Sequence, residues 1–299
     1  GPGLSALRLR RAAVLGVGLI GGSVAAGLRQ RGLAAEVVGY APGGDARRAL
    51  ELGLVDAAAD DVAKAVEGAD LVVLAAPIPA LRELLEAMSN RLAGDAVITD
   101  CASTKRSVIA AARASLGDAF PRFVAAHPIA GGERHGPDAA RAGLFEGCLA
   151  VVCAHPESSP DAVDRVNAVW TALGARVAPM DPVEHDELFA EVSHWPHAVA
   201  FALCAAIADG PQAAAAQRFA GAGLRDTTRI GASSAQLWAD ILIDNREAVL
   251  RCATAFQDEV RAITQALSAG DRAALLDRFE AASRWRRRLA SPGSRATPD

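Results

Sequence analysis

Short runs of consecutive apolar residues alternate with stretches of helical spacing along the first 180 residues or so. Residues 12–16, 37–40, 71–74, 96–99, 123–126 and 149–153 are apolar at successive positions, as strands covered on both faces are. Between them, residues 19–31, 79–92, 104–116 and 160–173 carry the three-to-four-residue period of amphipathic helices. A strand-helix unit repeated in this way predicts an α/β fold, a doubly wound parallel sheet over residues 8–180 with right-handed crossovers.

Beyond Met180 the strand signal stops. The remainder reads as helices broken at Trp195-Pro196, Gly210-Pro211 and residues 221–223, and predicts an all-α domain over residues 181–290. The amphipathic stretches 240–267 and 271–289 carry more apolar positions than so few helices can bury among themselves. Part of that surface is therefore expected to meet a second copy, giving a homodimer through the helical domain. Residues 291–299, rich in Ser, Pro and Gly, read as a flexible tail, and Gly1-Pro2-Gly3 as the remnant of a cleaved tag.

Composition narrows the class. With 299 residues, 51% apolar and only 22% charged, the chain has material for two folded domains and none of the character of a disordered one. The net charge of −4, with no basic cluster before Arg284, argues against nucleic acid as a partner. Every apolar run is shorter than the roughly 18–20 residues that span a bilayer, and no charged-then-apolar leader opens the chain, so no membrane association is expected. The five cysteines lack a C-x-x-C pair and sit mostly in apolar runs, which reads as reduced thiols in a cytoplasmic protein.

The first strand runs directly into Gly16-Val17-Gly18-Leu19-Ile20-Gly21 and then a helix. In that setting the first glycine permits a tight turn and the second lets the backbone approach a pyrophosphate. The third lets helix and strand pack closely, while the helix N-terminus faces the negative charge. Leu19 and Ile20 at the helix start, and Ala76-Pro77 after the run 71–74, complete the expected dinucleotide cradle. The second strand ends at Tyr40-Ala41, where an NAD site usually places an acidic residue. Asp45 is a candidate for the ribose, and Arg47 and Arg48 for a 2′-phosphate, which tilts the expected NAD(P) cofactor slightly toward NADP.

Three further segments place polar groups where strands of an open sheet end or in the helical half: Asp100-Cys101-Ala102-Ser103-Thr104-Lys105, His127-Pro128-Ile129-Ala130-Gly131-Gly132-Glu133, and Ser193-His194-Trp195-Pro196-His197 with Arg225-Asp226-Thr227-Thr228-Arg229-Ile230. Read alone, Ser103 is an N-cap for the helix behind it, and His194, His197 and His185, which form no H-E-x-x-H arrangement, are not expected to hold a metal. Taken together and in this order, the segments resemble the prephenate and arogenate dehydrogenase family of tyrosine biosynthesis, over residues 11–289. The resemblance implies a dinucleotide-binding domain followed by a helical domain through which two subunits interlock. It implies oxidation of the ring alcohol of prephenate or arogenate by hydride transfer to the nicotinamide, with loss of the ring carboxylate as carbon dioxide.

By the same resemblance His127 is the base that takes the hydroxyl proton, a task suited to an imidazole whose unperturbed pKa of about 6.5 lies near working pH. Ser103 hydrogen-bonds the substrate hydroxyl, and Arg229 pairs with the ring carboxylate. His197 and Trp238 line the substrate pocket, Gly132 lies near the substrate side chain, and Glu133 and Asp226 organise the pocket or reach across the dimer. Gly132 and Ala222 depart from what some relatives carry, which leaves both prephenate and arogenate open. No chorismate mutase domain before Arg11 or ACT domain after Leu289 is expected, hence a monofunctional enzyme. The rival readings are a dehydrogenase of the hydroxy-acid or imine-reductase kind and a nucleotide-sensing binding protein without turnover. The His-Pro motif disfavours the first, and the retained His127, Ser103 and Arg229 disfavour the second.

Overall fold

The computed structural model describes residues 8–131 and 134–289. Gly132, Glu133 and the expected tail at 291–299 lie outside the described residues. The chain forms two compact units, one ending at Arg246 and the other beginning at Glu247.

The first unit opens on an eight-stranded sheet in the order β3-β2-β1-β4-β5-β6-β7-β8. Its strands are β1 (Leu9–Leu15), β2 (Ala34–Tyr40), β3 (Ala57–Ala58), β4 (Leu71–Leu74), β5 (Val97–Asp100), β6 (Phe123–Ile129), β7 (Leu149–Cys153) and β8 (Arg176–Pro179). The helices between them are α1 (Leu19–Gln30), α2 (Asp45–Glu51), α3 (Val62–Val66), α4 (Ile78–Met88), α5 (Arg106–Leu116) and α6 (Pro160–Ala172). Side chains alternate across the pleat, so Leu71 and Val73 join one core with α1 and α6, and Val72 and Leu74 join another with α3, α4 and α5. Both faces are thereby covered, which is why β4 and β5 are buried at every position.

One strand departs from the expected pattern. β7 runs antiparallel to β6, with Ala125 opposite Cys153 and Ile129 opposite Leu149. A parallel return needs a crossover helix of a dozen or more residues. Among the described residues, the connection between the two strands offers only the short 3₁₀ turn Pro137–Ala139.

After β8 the described residues are helical: α7 (Pro182–Phe189), α8 (Trp195–Ala208), α9 (Ala213–Phe219), α10 (Ala222–Thr228) and α11 (Ala235–Asp244) complete the first unit. A π turn at Ala190–His194 joins α7 to α8, immediately before Pro196, whose missing N–H interrupts the regular ladder. The first unit runs past the change from strand to helix because α7 and α11 bond back onto the start of α5. The Asp186 carboxylate accepts from the Lys105 and Arg106 N–H groups, and Asp244 accepts from the Thr104 and Ser107 hydroxyls.

The amphipathic stretch 240–267 is not one helix. It breaks at Asn245, and α12 begins at Arg246 (Arg246–Ala269). In the second unit Gly270, at φ +64°, ends α12, and Asp271 caps α13 (Arg272–Arg287) through the Ala274 N–H. Arg278 pairs with Glu259 between these two helices. No single helix among the described residues is long and apolar enough to cross a membrane.

Candidate active site

β1 and β4 are adjacent while their onward connections diverge, which is the switch point where an open α/β sheet receives a ligand. Gly16 turns there at φ +94°, and a Cβ on it would lie 2.6 Å from the backbone of Ala75 and Ala76. A Cβ on Gly21 would lie 1.7 Å from the Gly16 carbonyl oxygen. Both glycines are thus needed by the chain itself. Gly18 differs, because a Cβ there would meet nothing within 4 Å, so its bare backbone faces open space at the N-cap of α1. The first turn of α1, Leu19 and Ile20 included, carries no acidic residue, and its unpaired N–H groups are fit for a phosphate. The residues therefore suit a dinucleotide.

Ala41 follows β2 and Ala76-Pro77 follow β4, on either side of this loop. Of the two candidate arginines, Arg48 is engaged by Asp138 at 2.6 Å and by Glu51 at 3.2 Å. Those two carboxylates hold its guanidinium even more firmly protonated than usual, the Asp138 hydrogen bond most of all. Arg47 is exposed on α2.

His127 lies on β6, with 9% of its surface exposed. Its Nδ1 is 2.9 Å from His185 Nε2, and His185 Nδ1 is 2.9 Å from Asp186 Oδ1. The carboxylate accepts from His185 Nδ1–H, so His185 Nε2 accepts in turn and His127 donates from Nδ1. The lone pair of His127 is left on Nε2. Phe189 is stacked on His185 at 4.5 Å and lies tilted against His127 at 4.8 Å.

The near-neutral pKa expected for this base is not kept. Burial, seconded by His185, Lys105 and His194, pushes His127 well below the ordinary imidazole value. Burial likewise lowers His185 despite its bond to Asp186. For Asp186 burial acts upward, but the bonds from His185 and from the Arg106 and Lys105 N–H groups prevail and hold the carboxylate below its usual range.

Asp186 also displaces Ser103 from the role read for it. α5 starts at Arg106, with Lys105 at its N-cap and no side-chain cap bond from its own segment. The orphan N–H groups go to Asp186 instead, so Ser103, half-buried ahead of the helix, has no capping duty. Just before Ser103, Asp100 and Lys105 form a fully buried pair at 2.5 Å.

His194, from the helical half, takes a hydrogen bond on Nδ1 from the Asn245 amide at 3.1 Å. Burial pushes its pKa down to about 4. Trp238 lies edge-on to His194 at 6.2 Å and is stacked on His197 at 3.4 Å between ring centres. His197 donates from Nδ1 to the Ser193 carbonyl at 2.8 Å, and burial, with the Arg229 charge adding to it, lowers its pKa below the ordinary imidazole value. His127, Trp238 and His197 are thus linked through His185, Asp186, Asn245 and His194, with the Ser103 backbone bearing on His194 and the Arg229 charge on His197. Asp226 is exposed on α10. His185, Asp186, His194 and Asn245 are the members that sequence reasoning did not assign. His185, His194 and His197 spend their bonded ring nitrogens on His127, Asp186, Asn245 and Ser193.

Comparison with known proteins points the same way. The prephenate dehydrogenase nucleotide-binding domain matches residues 24–179 and the prephenate dehydrogenase dimerization domain residues 181–281. A cyclohexadienyl dehydrogenase of Zymomonas mobilis is 32% identical over 92% of this chain and 94% of the relative. Among solved structures, prephenate dehydrogenase from A. aeolicus, in complex with hydroxyphenyl propionate and NAD+, superposes with a TM-score of 0.88 at 30% identity, over 95% of this chain and 100% of that one. Synechocystis arogenate dehydrogenase gives 0.78 at 28% identity, over 94% and 100%. With both domains of the family matched in order, and a relative that is alike over nearly its whole length, the chain belongs to the prephenate dehydrogenase family.

Proposed function

We propose that this protein catalyses the oxidative decarboxylation of prephenate or arogenate to 4-hydroxyphenylpyruvate or tyrosine, as a step of tyrosine biosynthesis. The observation that carries the reading is the free Nε2 of His127, left as an acceptor by the chain of bonds through His185 to Asp186. A buried imidazole with its lone pair fixed in this way takes a proton from a hydroxyl in front of it, and the relay behind it receives the developing positive charge.

A bound nicotinamide supplies the hydride acceptor. Ser103 hydrogen-bonds the ring hydroxyl whose proton His127 removes. Arg229 pairs with the ring carboxylate, whose C–C bonding electrons pass into the aromatic ring as carbon dioxide leaves. His197 and Trp238 form a flat stacked wall for the ring, Gly132 is assigned to the substrate side chain, and Glu133 and Asp226 to organising the pocket or reaching across the dimer. Gly16, Gly18 and Gly21 seat the dinucleotide. For its 2′ position the reading leans to NADP, since Ala41 offers no carboxylate and Arg47 is exposed while Arg48 is bound to Asp138.

A homodimer is part of the proposal. α8 is apolar around its circumference yet buries only Ala200 within the chain, and Phe219 and Ile243 are 76% and 67% exposed. Such a surface calls for a partner. Initial rates with prephenate and arogenate, each crossed with NAD and NADP and followed by nicotinamide absorbance, test the activity. Turnover of neither dienol with either cofactor rejects it, and about a tenfold preference for NAD rejects the lean to NADP. Sedimentation at micromolar concentration giving a single-chain mass rejects the dimer.

A further inference from the structure

We propose that the buried Asp100–Lys105 pair is a positioning device for His127, which sets the base against Ser103 by replacing the last rungs of the β5–β6 ladder with side-chain bonds. The inference rests on the proposed role of His127.

β5 and β6 pair only at Ile98 with Phe123 and Thr99 with Val124. Past that point the two strands need something else between them, because Ala126 still presents a backbone N–H and a carbonyl. The Asp100 carboxylate accepts from the Ala126 N–H at 3.0 Å, and Lys105 Nζ donates to the Ala126 carbonyl at 2.5 Å. Both polar groups of the residue just before His127 are thus held by one ion pair.

The same pair controls the other side of the site. Asp100 also accepts from the Ala102 N–H at 2.9 Å, which turns the chain into the segment carrying Ser103. The backbone N–H of Lys105 donates to Asp186 Oδ1 at 2.8 Å, the oxygen bonded by His185. A closed circuit results: Lys105 to Asp186, Asp186 to His185, His185 to His127, and the residue before His127 back to Lys105. Each element that positions the base meets at one lysine.

Stability alone is a poor account of the pair. Asp100 and Lys105 are both 0% exposed, and two apolar residues of the same volume would fill the space without desolvating charges. The groups facing His127 are the His185 and His194 rings, with Asp186 behind the former, and Lys105 with Asp100 beneath. Of these, Lys105 acts, after burial and His185, against protonation of the imidazole.

The test compares wild type with Lys105→Met and with the doubly neutral Asp100→Asn/Lys105→Met, which leaves no charge buried alone. For each, cofactor Kd, kcat and KM are measured, and the His127 imidazole is titrated by NMR without substrate. The expected result is an unchanged cofactor Kd and a kcat lower by about a hundredfold with KM little altered in both variants, and a His127 titration moved to higher pH in Lys105→Met. Loss of kcat with an unmoved titration in Lys105→Met, or a moved titration with normal kcat, overturns the proposal. So does failure of both variants to fold with the cofactor site intact, which would make the pair a core stabiliser only. Absence of turnover in wild type rejects the functional reading instead, while the titration still decides the positioning.

Discussion

His185 Nε2 stands 2.9 Å from His127 Nδ1, and this contact leaves Nε2 as the unbonded nitrogen of the His127 ring. If His127 is the base, His127→Asn folds and binds cofactor but loses about 10²–10⁴-fold in kcat. His185→Phe keeps an aromatic ring under Phe189 while removing the acceptor. It should lose roughly ten- to a hundredfold in kcat with cofactor affinity kept, and the double variant should be little slower than His127→Asn, because the residues act as a unit. Steady-state rates of the three variants check this, and losses that multiply would break the relay.

Arg229 sits at the far end of the cluster, near enough for its charge to lower the neighbouring His197. As a carboxylate anchor it should act on binding: Arg229→Ala raises KM by about a hundredfold or more, with kcat reduced less. Arg229→Lys should recover little of it, since an ammonium does not reproduce the paired N–H groups of a guanidinium. A KM unchanged in either variant would remove the anchor.

What the sequence showed and what it hid divide along physical lines. Parallel strands covered on both faces leave apolar runs in the chain, so β1, β2, β4, β5 and β6 were legible, and Gly16 and Gly21 were legible because their constraint is local. The reversal at β7 depends on what the intervening segment can do rather than on the strand's own residues. Asn245 looked like one more polar position on an amphipathic helix. It breaks that helix because its amide donates to the Asp186 carbonyl at 2.7 Å and to His194, distant positions that only the fold brings together. Ser103 read as a cap for the same reason that Asp186 did not: the cap arrives from 80 residues away.

The glycines of the nucleotide loop separate fold from binding. Gly21→Ala places a methyl 1.7 Å from the Gly16 carbonyl oxygen, so the loop must move, and a loss on the order of 3 kcal/mol is expected along with cofactor binding. Gly18→Ala meets nothing within 4 Å, so stability should change by no more than about 0.5 kcal/mol. Cofactor affinity should nevertheless fall by about tenfold or more, because the methyl occupies space that a pyrophosphate needs. Thermal unfolding with and without cofactor distinguishes the two. A Gly18→Ala protein with full cofactor affinity would place the dinucleotide elsewhere.

Acid should destabilise the protein before its carboxylates titrate. His127, His185, His194 and His197 are all held below the ordinary imidazole value, burial being the largest cause in each. As pH falls below the unfolded value near 6.5, the unfolded chain binds protons that the native protein refuses, so stability declines with pH until the folded groups also protonate. For His194, lowered from 6.5 to about 4, the loss is about 2 kcal/mol at pH ~5 and about 3 kcal/mol by pH ~4. Asp186, whose pKa is depressed instead, retains its contribution over this range and loses it only at lower pH. Denaturant midpoints at pH ~7.5 and ~5 should therefore fall in wild type. His194→Gln should start lower, having lost a fitted ring, but fall less between the two. A midpoint that holds steady in wild type, or an equally steep fall in the variant, would show that these rings are not kept neutral by the fold.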